Sequence, residues 1–197
     1  RFICYTKKNR NPEDYGLDIN RWVWKRKEKY WKNSPLNIVC PSNWLYENFK
    51  KSYLFKGKNV YNIPNCISTK DFSPIEKKIA CRLLNLPSDK KYILFGAINP
   101  TTNPLKGYNL LLNALEKLST TLNVELLVFG SSNYGDSLHQ NFKAHFLGHF
   151  HDDVSLKLLY NASAVFVSSS MQENLSNVIM ESLACGTPVV AFDVGGN

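Results

Sequence analysis

The chain has 197 residues, 44% of them hydrophobic, and a formal net charge of +8. That length allows one full domain and part of another, and that apolar content excludes global disorder. No apolar run approaches the roughly 20 residues a membrane helix needs, and the basic start at Arg1 has neither the apolar core nor the cleavage site of a signal peptide.

In chain order, residues 21–32 (RWVWKRKEKYWK) predict a helix that packs its aromatics inward, broken by Ser34-Pro35. Stacking of nucleobases is the less favoured use of the same aromatics. Residues 36–40 (LNIVC) predict a buried strand. Ser42 or Asn43 can cap a helix running to about Lys51. Residues 60–63 read as another strand, stopped by Pro64, and residues 67–74 read as a polar, irregular linker.

From Lys91 the pattern becomes regular. Strands are expected at 92–95, 124–129, 145–147, 164–167 and 189–192. Helices are expected at 107–118, from Asp152 or Asp153 to about Tyr160, and at 177–185, the last closed by Gly186 and Pro188. Apolar strands alternating with amphipathic helices predict an α/β fold, a Rossmann-like doubly wound parallel sheet. Ligands of such sheets sit beyond the carboxyl ends of the strands, at a topological switch point. The chemistry is therefore expected in the loops after Phe95, Phe129, Leu147, Val167 and Phe192.

Charge is unevenly spread. Residues 1–91 hold 20 of the 24 Lys and Arg but 8 of the 16 Asp and Glu, about +12, and the remainder carries about −4. The basic half can be a solvated lysine-rich surface, or it can face an anionic membrane, an anionic acceptor or nucleic acid. Nucleic acid is the least favoured, because no helix-turn-helix or other binding motif is visible. The five cysteines (Cys4, Cys40, Cys66, Cys81, Cys185) are odd in number, and no two lie two or four residues apart. They predict reduced thiols in a cytoplasmic protein rather than disulfides or a zinc site.

Two segments carry chemistry. The loop GAINPTTNPLK, from Gly96 to Lys106, leads from a strand into a helix N-terminus, whose free amides suit phosphate. A lysine there conflicts with the helix dipole unless an anion binds, but the loop alone fits a lysine without a role equally well. In SSSMQENLSNVIMESLACG, Glu173 falls in a loop and Glu181 lies two turns into the next helix. The first could accept from sugar hydroxyls and the second from a ribose, while the amides of Asn174, Leu175 and Ser176 could hold a diphosphate. Without context, a capping acid and a solvated helix acid explain these residues more simply.

The order CPSNWLYENF, IPNCISTKDFSP, FGAINPTTNPLKGYNLLLNAL and FLGHFHDDVSLKLLYNASAVFVSSSMQENLSNVIMESLACGTPVVAFDVGG resembles glycosyltransferase family 4, of glycosyltransferase group 1. These are retaining enzymes of the GT-B architecture, with two facing Rossmann-like domains. The resemblance runs from about Asn37 to the end, and the earlier residues look like the exopolysaccharide or colanic-acid branch. It implies that residues 1–70 are the end of an acceptor-side domain, 71–90 a linker and domain start, and 91–197 a donor-binding domain, with the architecture truncated at both ends and the isolated piece inactive. It further implies transfer of a sugar from UDP- or GDP-sugar to a glycan or lipid-linked acceptor, without metal or other cofactor, at the inner membrane face. By position, Glu181 would bind the ribose, Glu173 the transferred sugar, and Lys106, with the Leu175 and Ser176 amides, the diphosphate. Gly96 and Asn174 would line the donor, Gly148, His149 and Phe150 would line the base pocket, and Gly195 and Gly196 would border sugar and phosphate. Two departures stand out: Ala97 replaces the family's usual Arg, and Asn174 and Ser176 replace its usual glycines. The run HFHDD suggests a metal by composition, but the family places a base-binding loop and a helix cap there. A non-catalytic nucleotide-sugar-binding or scaffold protein on this fold is the rival reading.

Overall fold

The computed structural model describes residues 15–118, 123–131 and 142–197. They form two compact units, divided between Asn65 and Cys66.

The first unit opens with helix α1 (Ile19–Trp31), whose Asp18 cap accepts from the Arg21 amide. At its other end, Lys58 Nζ donates to the carbonyls of Lys32 and Ser34, at 2.7 and 2.5 Å, a cation where the helix dipole favours one. Strand β1 (Asn37–Cys40) pairs in parallel with β2 (Asn59–Asn62), and α2 (Asn43–Lys50) connects them, capped by Ser42. The expected buried strand at 36–40 is only partly buried. Cys40 is enclosed, but Val39 is 55% exposed, because a two-stranded sheet covers one face. The expected inward packing of the α1 aromatics holds for two of four. Trp24 stacks on Tyr53 and Trp31 on Phe55, seven residues apart and so on one helix face. Trp22 and Tyr30 lie on another face and are exposed, with Arg26 and Lys29 over their rings.

The second unit is a five-stranded, wholly parallel sheet. Its strands are β3 (Lys91–Gly96), β4 (Val124–Phe129), β5 (Ala144–Phe146), β6 (Val165–Ser168) and β7 (Val189–Ala191), in the order β5-β4-β3-β6-β7. Because side chains alternate along a strand, β3 and β4 feed two cores. Tyr92, Leu94, Leu127 and Phe129 face α3 (Lys77–Leu83), α5 (Asp153–Ala162) and α6 (Asn177–Ala184). Phe95, Leu126 and Val128 face α4 (Tyr108–Glu116), through Leu111, Leu112 and Leu115. Residues buried on both faces explain why these strands read as continuous apolar runs.

Two features of this unit were not legible as elements. Helix α3 is short and lysine-rich, yet it buries Ala80 and Cys81. The stretch expected as an irregular linker is tied to the core: Phe72 is buried, and the Asn161 side chain bonds the Ile75 amide and the Ser73 carbonyl, at 2.7 and 3.2 Å.

Candidate functional site

The strand order runs outward from β3 in both directions, to β4 on one side and β6 on the other. The switch point therefore lies between β3 and β6, and the loops leaving these two strands flank it. Lys106 is on the first loop and Glu173 on the second. Their side chains meet: Lys106 Nζ donates to Glu173 Oε2 at 2.9 Å, with side-chain exposures of 24% and 18%.

Local chemistry fixes both loops. After β3, Asn103 caps a single 3-10 turn, Pro104–Lys106, and Gly107 then caps α4. Gly107 has a φ of +69°, and a Cβ there would lie 2.0 Å from the Ser169 carbonyl oxygen, so only glycine fits. Ser169 Oγ donates to the Gly107 carbonyl at 2.8 Å, and the Met171 amide to the Leu105 carbonyl at 2.8 Å. The two loops are thus laced together beside the ion pair. An open recess of about 300 Å³, bordered by Thr101, Asn103, Tyr108 and Met171, adjoins them.

Helix α6 follows the Glu173 loop. Ser176 is its cap residue, but its side chain makes no capping bond. The first intrahelical bond is from the Met180 amide to the Ser176 carbonyl. Residues 177–179 therefore form the first turn of the helix, next to Leu175 and Ser176. Asn174, Leu175 and Ser176 themselves belong to the approach loop rather than the helix. Glu181 is within α6, and the buried Tyr160 donates to its Oε2 at 2.7 Å. Burial pushes the Glu181 carboxyl up; the Tyr160 hydrogen bond opposes this, and Asp153 adds to it.

The remaining sequence-predicted residues lie around these loops. Gly96 is the buried last residue of β3, paired with Phe129. The Gly148 carbonyl accepts from the Gly130 amide at 2.7 Å, which joins the turns after β4 and β5. His149 is exposed, while Phe150 packs partly against the core. His149 and His151 stack at 6.4 Å, and Asp152 caps α5 by accepting from the Ser155 amide. Among the described residues, no three His, Cys, Asp or Glu side chains gather as a metal cluster. Gly195 has a φ of +67°, and a Cβ there would lie 1.7 Å from the Glu173 carbonyl oxygen, so this turn closes directly over the Glu173 loop. Gly196 continues that turn.

Residues 89–197 match the family described as glycosyl transferases group 1. The chain belongs to this family. It is 28% identical over 159 residues to an uncharacterised glycosyltransferase of Methanocaldococcus jannaschii, covering 61% of this chain and 40% of that one. Sucrose-phosphate synthase of Thermosynechococcus elongatus superposes with a TM-score of 0.71 at 26% identity, over 91% of this chain and 45% of that one. The Anabaena protein HepE, solved in complex with UDP and glucose, shares the fold with a TM-score of 0.66 at 20% identity, over 94% and 51%. The chain thus spans about half or less of these relatives. Its group 1 domain holds the whole of β3 to β7, the Lys106–Glu173 pair and Glu181. No helix among the described residues is long and apolar enough to cross a membrane.

Sequence reasoning missed two contributors, Tyr160 and Ser169. A tyrosine at the end of an amphipathic helix reads as core, and Ser168 to Ser170 carry no pattern that separates one serine from the next.

Proposed function

We propose that this chain belongs to a retaining glycosyltransferase that moves a sugar from a UDP- or GDP-sugar to a glycan or lipid-linked acceptor, in exopolysaccharide or lipopolysaccharide synthesis. The observation that carries the reading is the Lys106–Glu173 pair at the switch point, with Glu173 on the loop that leads into α6. A cation and the amides at a helix start are the kinds of group that suit a diphosphate. Lys106 and the amides of Leu175 and Ser176 hold the diphosphate, Glu173 contacts the transferred sugar, and Glu181 accepts from the ribose. Gly148, His149 and Phe150 line the base, Gly195 and Gly196 close over sugar and phosphate, and Gly96 and Asn174 complete the floor. In the transfer, the bond between the anomeric carbon and the diphosphate oxygen breaks. The acceptor oxygen bonds that carbon on the same face, and its proton passes to the departing phosphate. Lys106 and the amides stabilise the charge that develops on the leaving group, without a divalent metal or other cofactor.

The basic first unit would meet an anionic acceptor or an anionic membrane surface at the cytoplasmic face. The exposed Trp22 and Tyr30 under Arg26 and Lys29 support this, since rings and cations together suit a lipid interface. Ala97, where the family usually has Arg, favours a second reading, a nucleotide-sugar-binding protein without turnover. Isothermal titration with UDP, GDP and one sugar conjugate of each tests the donor site. Micromolar binding of one nucleotide, weakened by Lys106→Ala and Glu181→Ala, supports it, and no binding by folded protein opposes it. Sugar transfer by the full-length parent, sharply reduced by Glu181→Ala, separates the enzyme from the non-catalytic binder.

A further inference from the structure

Packing does not explain why residue 160 is a tyrosine. Its ring is fully buried and meets Phe72, Phe129 and Phe166 edge-on, at centroid distances of 6.2, 6.3 and 6.0 Å. Phenylalanine would make every one of those contacts. A buried hydroxyl must find a partner, and this one donates to Glu181 Oε2 at 2.7 Å.

Both ends of that bond are fixed. The Tyr160 carbonyl accepts from Thr187 Oγ1 at 2.7 Å and from the Ser163 amide at 3.1 Å. Ser182, the neighbour of Glu181 on α6, donates its hydroxyl to the Thr187 carbonyl at 3.2 Å. The segment before β7 thus ties the end of α5 to the middle of α6. A glutamate has several rotatable bonds, and fixing them at the moment of binding costs affinity. A carboxylate also has about four acceptor directions. With the phenol holding Oε2, the other oxygen keeps its directions for a ligand.

We propose that Tyr160 is a positioning residue: by donating to Oε2 it holds the Glu181 carboxylate in the orientation that accepts from a ribose diol, and so sets a preference for ribonucleotides over their deoxy forms. This rests on the assignment of Glu181 to the donor ribose. Tyr160 itself touches no part of the donor. The same bond opposes the upward push of burial on the Glu181 carboxyl. Removing it lets the carboxyl take up a proton at higher pH, where it stops accepting from both hydroxyls.

The test is titration of the chain with UDP and GDP and with their 2′,3′-dideoxy forms, across about pH 5 to 8, for wild type, Tyr160→Phe and Glu181→Gln. A bond to a charged acceptor predicts that wild type prefers the ribonucleotide by about tenfold or more. Tyr160→Phe loses most of that preference while affinity for the dideoxy form holds, and its loss of ribonucleotide binding on acidification moves to higher pH. Glu181→Gln, with Tyr160 in place, loses the preference too, and the double variant loses no more than either single one. An unchanged preference in Tyr160→Phe overturns the proposal. So does equal weakening toward both forms, since Tyr160 would then only join two helices. If wild type binds a nucleotide without ribose preference, the ribose role of Glu181 falls. If it binds none, the donor-site reading falls as well, and Tyr160 positions nothing.

Discussion

The two members of the Lys106–Glu173 pair should respond to mutation with opposite sign. The Lys106 ammonium has a carboxylate partner at 2.9 Å, and neither group is fully buried. Exposed pairs contribute about 0.2–1 kcal/mol and hydrogen bonds to charged groups about 1.5–3 kcal/mol, so this pair falls between, at roughly 1 kcal/mol. A diphosphate entering the site competes with Glu173 for the same ammonium. Lys106→Ala removes a charge-assisted bond to phosphate and should weaken UDP or GDP by about 10- to 100-fold. Glu173→Ala frees the ammonium and should tighten the bare nucleotide by up to about fivefold, given about 1 kcal/mol released. Toward the sugar conjugate, Glu173→Ala loses its sugar contact and should bind more weakly than wild type. Isothermal titration at one fixed ionic strength reads all three, because salt screens each term. Equal weakening of the bare nucleotide by both variants would refute this reasoning and leave the pair as a fold contact.

Further outcomes follow from other parts of the molecule. Gly195→Ala forces a left-handed backbone, at about 1–2 kcal/mol, onto a Cβ that collides with the Glu173 carbonyl. It should lower both melting temperature and nucleotide affinity, whereas Gly57→Ala, at a φ of +78° with open space around it, should cost stability alone. Burial pushes the Glu125 carboxyl up, but the His145 hydrogen bond at 2.6 Å and the charges of Lys143, His145 and Lys90 outweigh it and hold it below its ordinary value. A depressed carboxyl stabilises above its unfolded value and loses this as pH falls through the folded one. Glu125→Gln should therefore melt below wild type at neutral pH, with the gap closing on acidification. Cys40, Cys81 and Cys185 are buried, with thiols pushed up chiefly by burial, while Cys66 is exposed. Alkylation of native protein at neutral pH should mark Cys66 and spare those three until denaturation, as read by peptide mass. The double change Trp22→Ala and Arg26→Ala should weaken sedimentation with vesicles rich in phosphatidylglycerol and leave nucleotide binding unchanged.

The fold of the second unit was legible because its strands are buried on both faces and its helices are not. Runs such as ILF at 93–95 and LLVF at 126–129 are continuous, while α4 buries Leu111, Leu112 and Leu115 at helical spacing and leaves Leu110 exposed. The same contrast located the loops after β3 and β6, where Lys106 and Glu173 lie. Helix α3 escaped because two buried positions, Ala80 and Cys81, cannot set a periodicity among lysines. The exposed side of β1 escaped because a short apolar run, Ile38 to Cys40, looks the same in a central strand and in a two-stranded sheet. Tyr160 escaped for a different reason: whether a core phenol has a working partner depends on residue 181, 21 positions away, and on the turn that brings α5 beside α6.

The most direct test of the donor site is a crystal structure of the chain with UDP or GDP bound. The diphosphate should lie against Lys106 Nζ and the amides of Leu175 and Ser176, with Glu173 released from Lys106 and the ribose hydroxyls on Glu181. A nucleotide bound elsewhere on the chain, with the Lys106–Glu173 pair intact, would contradict it.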